Sequence, residues 1–210
     1  MYDWANSAFA LIVMTSFVPL LLREHWSAGE TSTEITFIWG SANSIAALLL
    51  ALAAPLLGAL ADQGGRRRRM LAICVVPGAI CTVMLALPGA GHWATGLSLF
   101  VLAWVGYSAA NIFYDALLTE VAEPKQYDLV SAYGFALGYI GSAMLFTLCA
   151  LVTVDPERFG LGSQVQAMQV SMLAVGVWWV LFSVPLLRGG RRTANAARPA
   201  RLGAAWRQLW

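Results

Sequence analysis

The sequence predicts an all-α polytopic membrane protein, a bundle of six transmembrane helices. Three observations carry this. Of the 210 residues, 59% are hydrophobic and only 11% are charged, less than half the roughly 25% charged share of a soluble domain. Apolar runs of roughly 18 residues or more, long enough to cross a bilayer core, recur along the chain. They are continuous rather than alternating, unlike barrel strands of about ten residues. Backbone amides have no water partners in lipid, so such runs are helices.

The six spans fall at about 3–22, 35–61, 70–88, 95–118, 130–153 and 166–187, with ends uncertain by several residues. The breaks are polar or carry Gly and Pro: "REHWSAGETSTE", "DQGGRRRR", "PGAGHWA", "TEVAEPKQYD" and "DPERFGLGSQ". Residues 1–187 form one transmembrane bundle, and 188–210 form a cytoplasmic basic segment. Orientation follows the basic residues. Arg66 to Arg69, Lys125 and the six arginines of the tail account for 11 of the 13 Lys and Arg. They lie on one side, which the positive-inside rule assigns to the cytoplasm. Both termini are then cytoplasmic, in a multi-pass inner membrane. Abundant Arg over Lys and many alanines point to a bacterial source. Trp4, Trp26 and Trp93 are expected at the membrane interfaces, where indoles are favoured.

Chemistry of other kinds finds little support. Cys74, Cys81 and Cys149 sit inside apolar runs and form no CxxC pair, so metal or redox use is not expected. His25 and His92 are isolated. With no nucleophile–base set and no metal cluster, the chain is not read as an enzyme. No cofactor and no nucleic acid is expected. The expected partners are the bilayer and a small-molecule solute.

Polar residues at membrane depth are the informative ones, because they face the bundle interior or a water-filled cavity. The stretch Ala8 to Leu22 is too short to cross about 30 Å at 1.5 Å per residue, so the first helix begins near Asp3. At 100° per residue Asp3, Asn6, Ser7, Ala10 and Met14 share one stripe, away from Trp4, Ala8, Leu11 and Ile12. In the fourth span Tyr107, Asn111, Tyr114 and Leu118 share a stripe, with Ser108 and Asp115 on its shoulder. Two readings stay open. Asp3 is an N-cap favoured by the helix dipole and the other groups are interhelical hydrogen bonds, or both stripes line a cavity. In the fifth span "YGFALGYIG" places Gly134, Gly138 and Gly141 for close helix packing. Spans three and six carry few hydrogen-bonding side chains and are expected to be supports facing lipid.

The most specific local signal is "GALADQGGRRRR". Glycines permit a tight turn with positive φ, and Asp62 is placed to pair with an arginine or to cap a neighbouring helix. The pattern G-x-L-A-D-x-x-G-R-R, read at Gly58, Leu60, Ala61, Asp62, Gly65, Arg66 and Arg67, resembles the signature loop of major facilitator transporters. Together with "YDWANSAFA", "FYDALLTEVA" and "VSAYGFALGYIGS", it resembles the bacterial family related to fungal vacuolar amino-acid effluxers, through essentially the whole chain. The family pattern has Tyr-Asn where this chain has Tyr114-Asp115.

The resemblance implies a fold of 3+3 inverted repeats and one six-span half of a twelve-span transporter, ending in the central cytoplasmic loop. It implies alternating access, with spans one and four lining the cavity and spans two and five at the interface with the other half. Asn6, Ser7, Tyr107, Asn111 and Tyr114 are then substrate-cavity candidates. Asp3 and Asp115 are candidates for proton coupling, for cation or amine contact, or for a structural role. Gly58, Asp62, Gly65, Arg66 and Arg67 form a conformational-switch loop. The function implied is secondary active transport of a small solute, with amino-acid efflux as one form. The alternatives are a six-span protein that transports nothing alone, or a half-transporter that pairs with a second copy.

Overall fold

Six long helices follow one another through short breaks: α1 (Tyr2–Trp26), α2 (Ser32–Asp62), α3 (Arg67–Met84), α4 (Trp93–Val121), α5 (Tyr127–Val154) and α6 (Gln164–Arg188). The structure is a computed structural model and describes residues 1–62, 65–121 and 124–188. The basic segment expected over 188–210 lies outside the described residues apart from Arg188. No strand occurs among the described residues. Five of the helices are long and apolar enough to cross a membrane by length and composition alone. The remaining one, α3, has 18 residues and opens on Arg67, Arg68 and Arg69, so its charged first turn shortens its apolar part.

Local chemistry explains the helix ends. α2 starts at a reciprocal cap: the Glu34 amide donates to Thr31 Oγ1 at 3.4 Å, and Glu34 Oε2 accepts the Thr31 amide at 2.8 Å. α6 starts in the same way, with the Gln166 amide donating to Ser163 Oγ at 3.2 Å and Gln166 Oε1 accepting the Gly162 amide at 2.8 Å. Such paired caps satisfy donors that a helix start leaves open. α3 ends at Met84 rather than near 88, because Pro88 has no amide to continue the ladder.

The packing has an internal symmetry. α1 packs on α5 and α6, α4 packs on α2 and α3, and α3 packs on α6. Exchanging α1 with α4, α2 with α5 and α3 with α6 returns these five pairs. The packing of α5 on α6 is the exception, with no α2–α3 counterpart of similar extent. The five pairs fit an arrangement of two three-helix repeats.

Glycines mark the crossings. A Cβ on Gly106 of α4 would meet the Gly78 Cα of α3 at 3.0 Å and the Cys74 carbonyl at 3.1 Å. A Cβ on Gly176 of α6 would meet the Ala79 carbonyl of α3 at 3.0 Å. On α5, a Cβ on Gly138 would meet the Asp3 carbonyl at 3.0 Å, and one on Gly141 would press into the Trp4 ring. The packing role expected for Gly138 and Gly141 therefore has a geometric counterpart at the α1–α5 crossing. Small residues let backbones approach where lipid supplies no hydrophobic drive.

α3 and α6 each bury one face and open another: Leu71 and Val75 of α3 and Trp179 of α6 are fully buried, whereas Ile73, Ile80, Val177 and Leu181 are more than half exposed, and α3 lies between α4 and α6. The most open helix is α2, with Leu52 71% exposed. Trp26, at the end of α1, is fully buried against Gly96.

Replacing Gly106 by Val is expected to destabilise the bundle by about 1–3 kcal/mol, the usual range for overpacking. Gly40→Ala, where a Cβ meets open space, should be neutral or slightly stabilising. Thermal unfolding of the purified protein in detergent distinguishes the two. Equal melting temperatures would remove the close α3–α4 contact as a source of stability.

Candidate functional site

At the end of the bundle that carries Asp62 and Arg67, α1 and α4 face each other through side chains in antiparallel register. The Tyr2 and Tyr114 rings lie 4.6 Å apart between centroids. The Tyr114 hydroxyl donates to Asp3 Oδ2. One turn deeper, Asn6 Nδ2 donates to Asn111 Oδ1 at 2.5 Å. Deeper again, the Phe9 and Tyr107 rings stack with centroids 4.9 Å apart. Trp179 of α6 packs on both of these rings. The two helices thus share two polar rungs above an aromatic floor.

The rungs border a cleft of about 240 Å³. Its polar wall is Asp3, Asn6 and Ser7 of α1 with Tyr107, Asn111, Tyr114 and Asp115 of α4. Its other wall is Val130, Ser131 and Phe135 of α5, with Leu117, Leu118 and Leu186 closing the sides. Every residue singled out from the two polar stripes as a cavity or acid candidate therefore comes to one place. Asp3 and Asn6 are buried, while Asp115 is exposed toward the cleft side.

Asp3 is not a helix cap. The N-cap position is Met1, which forms no side-chain cap, and the Asp3 carboxylate takes the Tyr114 hydroxyl instead. Its place in the first turn still lets the helix dipole favour its charge. Gly134 of α5 makes room for it: a Cβ there would run into the Asp3 carboxylate. Ser7 Oγ occupies the corresponding space beside Gly138.

Ala10 and Met14, expected on the same stripe, do not line the cleft. From Phe9 to Phe17 and again from Leu22 to Trp26, α1 is wound in wide i→i+5 turns. The Thr15 and Ser16 hydroxyls bond the carbonyls five residues back, at 2.9 and 2.7 Å. Wide turns hold more residues than ordinary α turns, so a stripe drawn at 100° per residue drifts off the cleft beyond Phe9. Such turns are uncommon and concentrate at functional sites. The sequence reading also missed Ser131 and Phe135. Both sit at the start of "VSAYGFALGYIG", where only the glycines drew notice.

The loop after α2 is organised by Arg67. Its Nε donates to the Ala61 carbonyl at 2.5 Å and its Nη1 to the Ala116 carbonyl at 2.8 Å, joining the last turn of α2 to α4 beside Asp115. Gly65 has φ +65°, the left-handed turn conformation that glycine accepts freely. Asp62 and Arg66 are exposed, and among the described residues Asp62 forms no ion pair. Gly58 faces open space on α2.

The vacuole effluxer Atg22-like family matches residues 1–126 and 119–210. The chain belongs to this family. An uncharacterized MFS-type transporter, YxiO, of Bacillus subtilis is 35% identical over 90% of this chain and 44% of its own length. An uncharacterized protein of Aquifex aeolicus is 25% identical over 76% of this chain and 39% of its own. Autophagy-related protein 22-1 of Aspergillus fumigatus is 28% identical over 32% of this chain and 10% of its own. The chain thus spans less than half the length of these relatives. No solved structure matches it. For an Atg22-like chain, the family resemblance read from "YDWANSAFA" and the signature loop is the correct one.

Tyr114→Phe is expected to destabilise the bundle by about 1–3 kcal/mol, because it strips a buried carboxylate of its donor. Asp3→Asn combined with Tyr114→Phe should cost less than the sum of the single changes. A double-mutant cycle on unfolding in detergent measures this coupling. Strict additivity would mean that the Asp3–Tyr114 bond carries no net energy.

Proposed function

We propose that this chain forms one six-helix bundle of a secondary transporter, and that the α1–α4 cleft holds part of a small solute during alternating access. One observation carries this reading: two helices at membrane depth turn amides, hydroxyls and carboxylates toward a shared cleft, although every such group is expensive in hydrocarbon. Transport rather than catalysis is supported by the names of the relatives. Amino-acid efflux is the form we propose: efflux because the family is described as vacuole effluxers, and amino acids because the resemblance read from the sequence implies them. Asn6, Ser7, Tyr107, Asn111 and Tyr114 would bind the solute. Both termini would lie in the cytoplasm of a bacterial inner membrane, as the distribution of arginines supports.

A second bundle would complete the site. The outward faces of α2 and α5 carry large apolar side chains, including Phe37, Leu52, Tyr133 and Tyr139, each more than 60% exposed. The relatives' greater length supports a partner supplied in the same polypeptide; a second copy of the chain is the alternative. The loop from Gly58 to Arg67 would control the switch, with Arg67 passing its movement to α4 through the Ala116 carbonyl.

Proteoliposomes containing the protein should exchange radiolabelled small solutes, amino acids first. Asn111→Ala should lower the flux about tenfold, the size of one lost hydrogen bond to solute, with insertion preserved. Absence of flux for a broad solute panel, with and without an imposed proton gradient, would refute the reading.

In the same assay Asp62→Ala should slow flux while leaving solute binding and topology intact. If Asp62→Ala alters only topology, the loop is an orientation signal and not a switch.

A further inference from the structure

The cleft has a one-sided charge. Asp3 and Asp115 both line it, and no Lys, Arg or His does among the described residues. Its remaining polar groups are the amides Asn6 and Asn111 and the hydroxyls of Ser7, Ser131 and the tyrosines, all neutral.

Asp3 is the decisive residue. Its side chain belongs to a residue only 8% exposed, and Oδ2 accepts the Tyr114 hydroxyl. Oδ1 accepts no hydrogen bond from any described residue, yet it is not among the sealed polar atoms that lack partners. It therefore opens on the cleft that its residue lines. A nearly buried carboxylate with one neutral donor is poorly compensated, because a hydroxyl supplies a dipole and not a countercharge. No described cationic side chain is bonded to it: the salt bridge Arg23–Glu24 lies elsewhere, and Arg67 reaches the Ala61 and Ala116 carbonyls. Asp115, exposed on the same cleft, adds a second negative charge rather than balancing the first.

The remaining walls are apolar or aromatic. Val130 and Phe135 of α5 form the wall opposite the carboxylates, Leu118 and Leu186 close the sides, and the Tyr107 ring lies at the floor, where an aromatic face also attracts a cation.

We propose that the cleft selects a solute by a cationic ammonium group, received between Asp3 Oδ1 and Asp115, with an apolar body against the α5 wall. This deepens the solute-site reading given above and rests on it. Any anionic end of the solute finds no partner in this bundle and points out of the cleft.

Three probes of one size and shape test this on the purified protein: benzylamine, a cation at pH 7, benzyl alcohol and benzoate. Binding is followed by titration calorimetry or by ligand-observed NMR. Benzylamine should bind at least about tenfold more tightly than benzyl alcohol, as a charge-assisted hydrogen bond requires, and benzoate should bind most weakly. Asp3→Asn should erase the preference for the amine. Because Asp3→Asn also disturbs the Tyr114 bond, Asp115→Asn is the second variant. Its side chain makes no hydrogen bond among the described residues, and it should cut amine affinity severalfold without changing the unfolding temperature. If benzyl alcohol or benzoate binds as tightly as benzylamine, and Asn111→Ala abolishes that binding, the solute site stands and the amine selectivity falls. The selectivity also falls if benzylamine binding is unchanged in both aspartate variants. If none of the three binds at millimolar concentration, the solute site and the inference fail together.

Discussion

Packing an apolar helix on another in lipid releases no water, so the bundle depends on how closely its backbones can approach. That closeness is concentrated at glycines. Gly78 and Gly106 set the α3–α4 crossing, Gly176 the α3–α6 crossing, and Gly134, Gly138 and Gly141 the α1–α5 crossing. The last set does more than pack. Gly134 lies against the Asp3 carboxylate and Gly138 against Ser7 Oγ, so the gap that brings α1 onto α5 is also where the polar face of α1 is stored. Packing and polar chemistry are coupled there. A side chain at 134 would displace the carboxylate from beneath Tyr114.

Because α1 and α4 occupy equivalent places in the two repeats, they meet as antiparallel partners through side chains. The register makes the site. Tyr2 and Asp3 address Tyr114, Asn6 addresses Asn111, and Phe9 addresses Tyr107. Polar contacts stop where the Phe9, Tyr107 and Trp179 rings close the floor. Just beyond, α1 widens its turns and Thr15 and Ser16 spend their hydroxyls on its own carbonyls. The polar rungs and the irregular winding therefore occupy successive segments of one helix.

Much of this was legible in the residues. Continuous apolar runs announce the helices, and the stripes through Asp3, Asn6 and Ser7 and through Tyr107, Asn111 and Tyr114 announce two polar faces. Their convergence on one cleft could be expected, because polar groups in lipid seek one another. What escaped notice has identifiable causes. The loss of Ala10 and Met14 from the stripe follows from wide turns, which leave no compositional mark. Gly78, Gly106 and Gly176 are single glycines in apolar runs, and their meaning depends on which helix crosses them. Asp3 resembles a cap by position, and only the placement of Tyr114 shows otherwise. Arg67 belongs to a run of four arginines that reads as a topology signal, whereas its fork holds the carbonyls of Ala61 and Ala116.

The exposed faces of α2 and α5 do not by themselves demand a partner, since lipid receives Leu52 or Tyr139 as readily as protein does. The cleft is different. Two carboxylates and two amides cannot stand open to acyl chains, and although α5 walls one side of the cleft, no described residue of α2 lines it. Water or another polar protein surface must therefore cover it. A surface that alternates between the two would be wet when apart and dry when closed. In that closed state the Asp3 carboxylate would lose its remaining hydration and most require a positive charge. Under the proposed function, a bundle built this way would hold its charge cheaply only while the cleft is open or occupied, which would tie closure to occupancy through the electrostatics of one side chain.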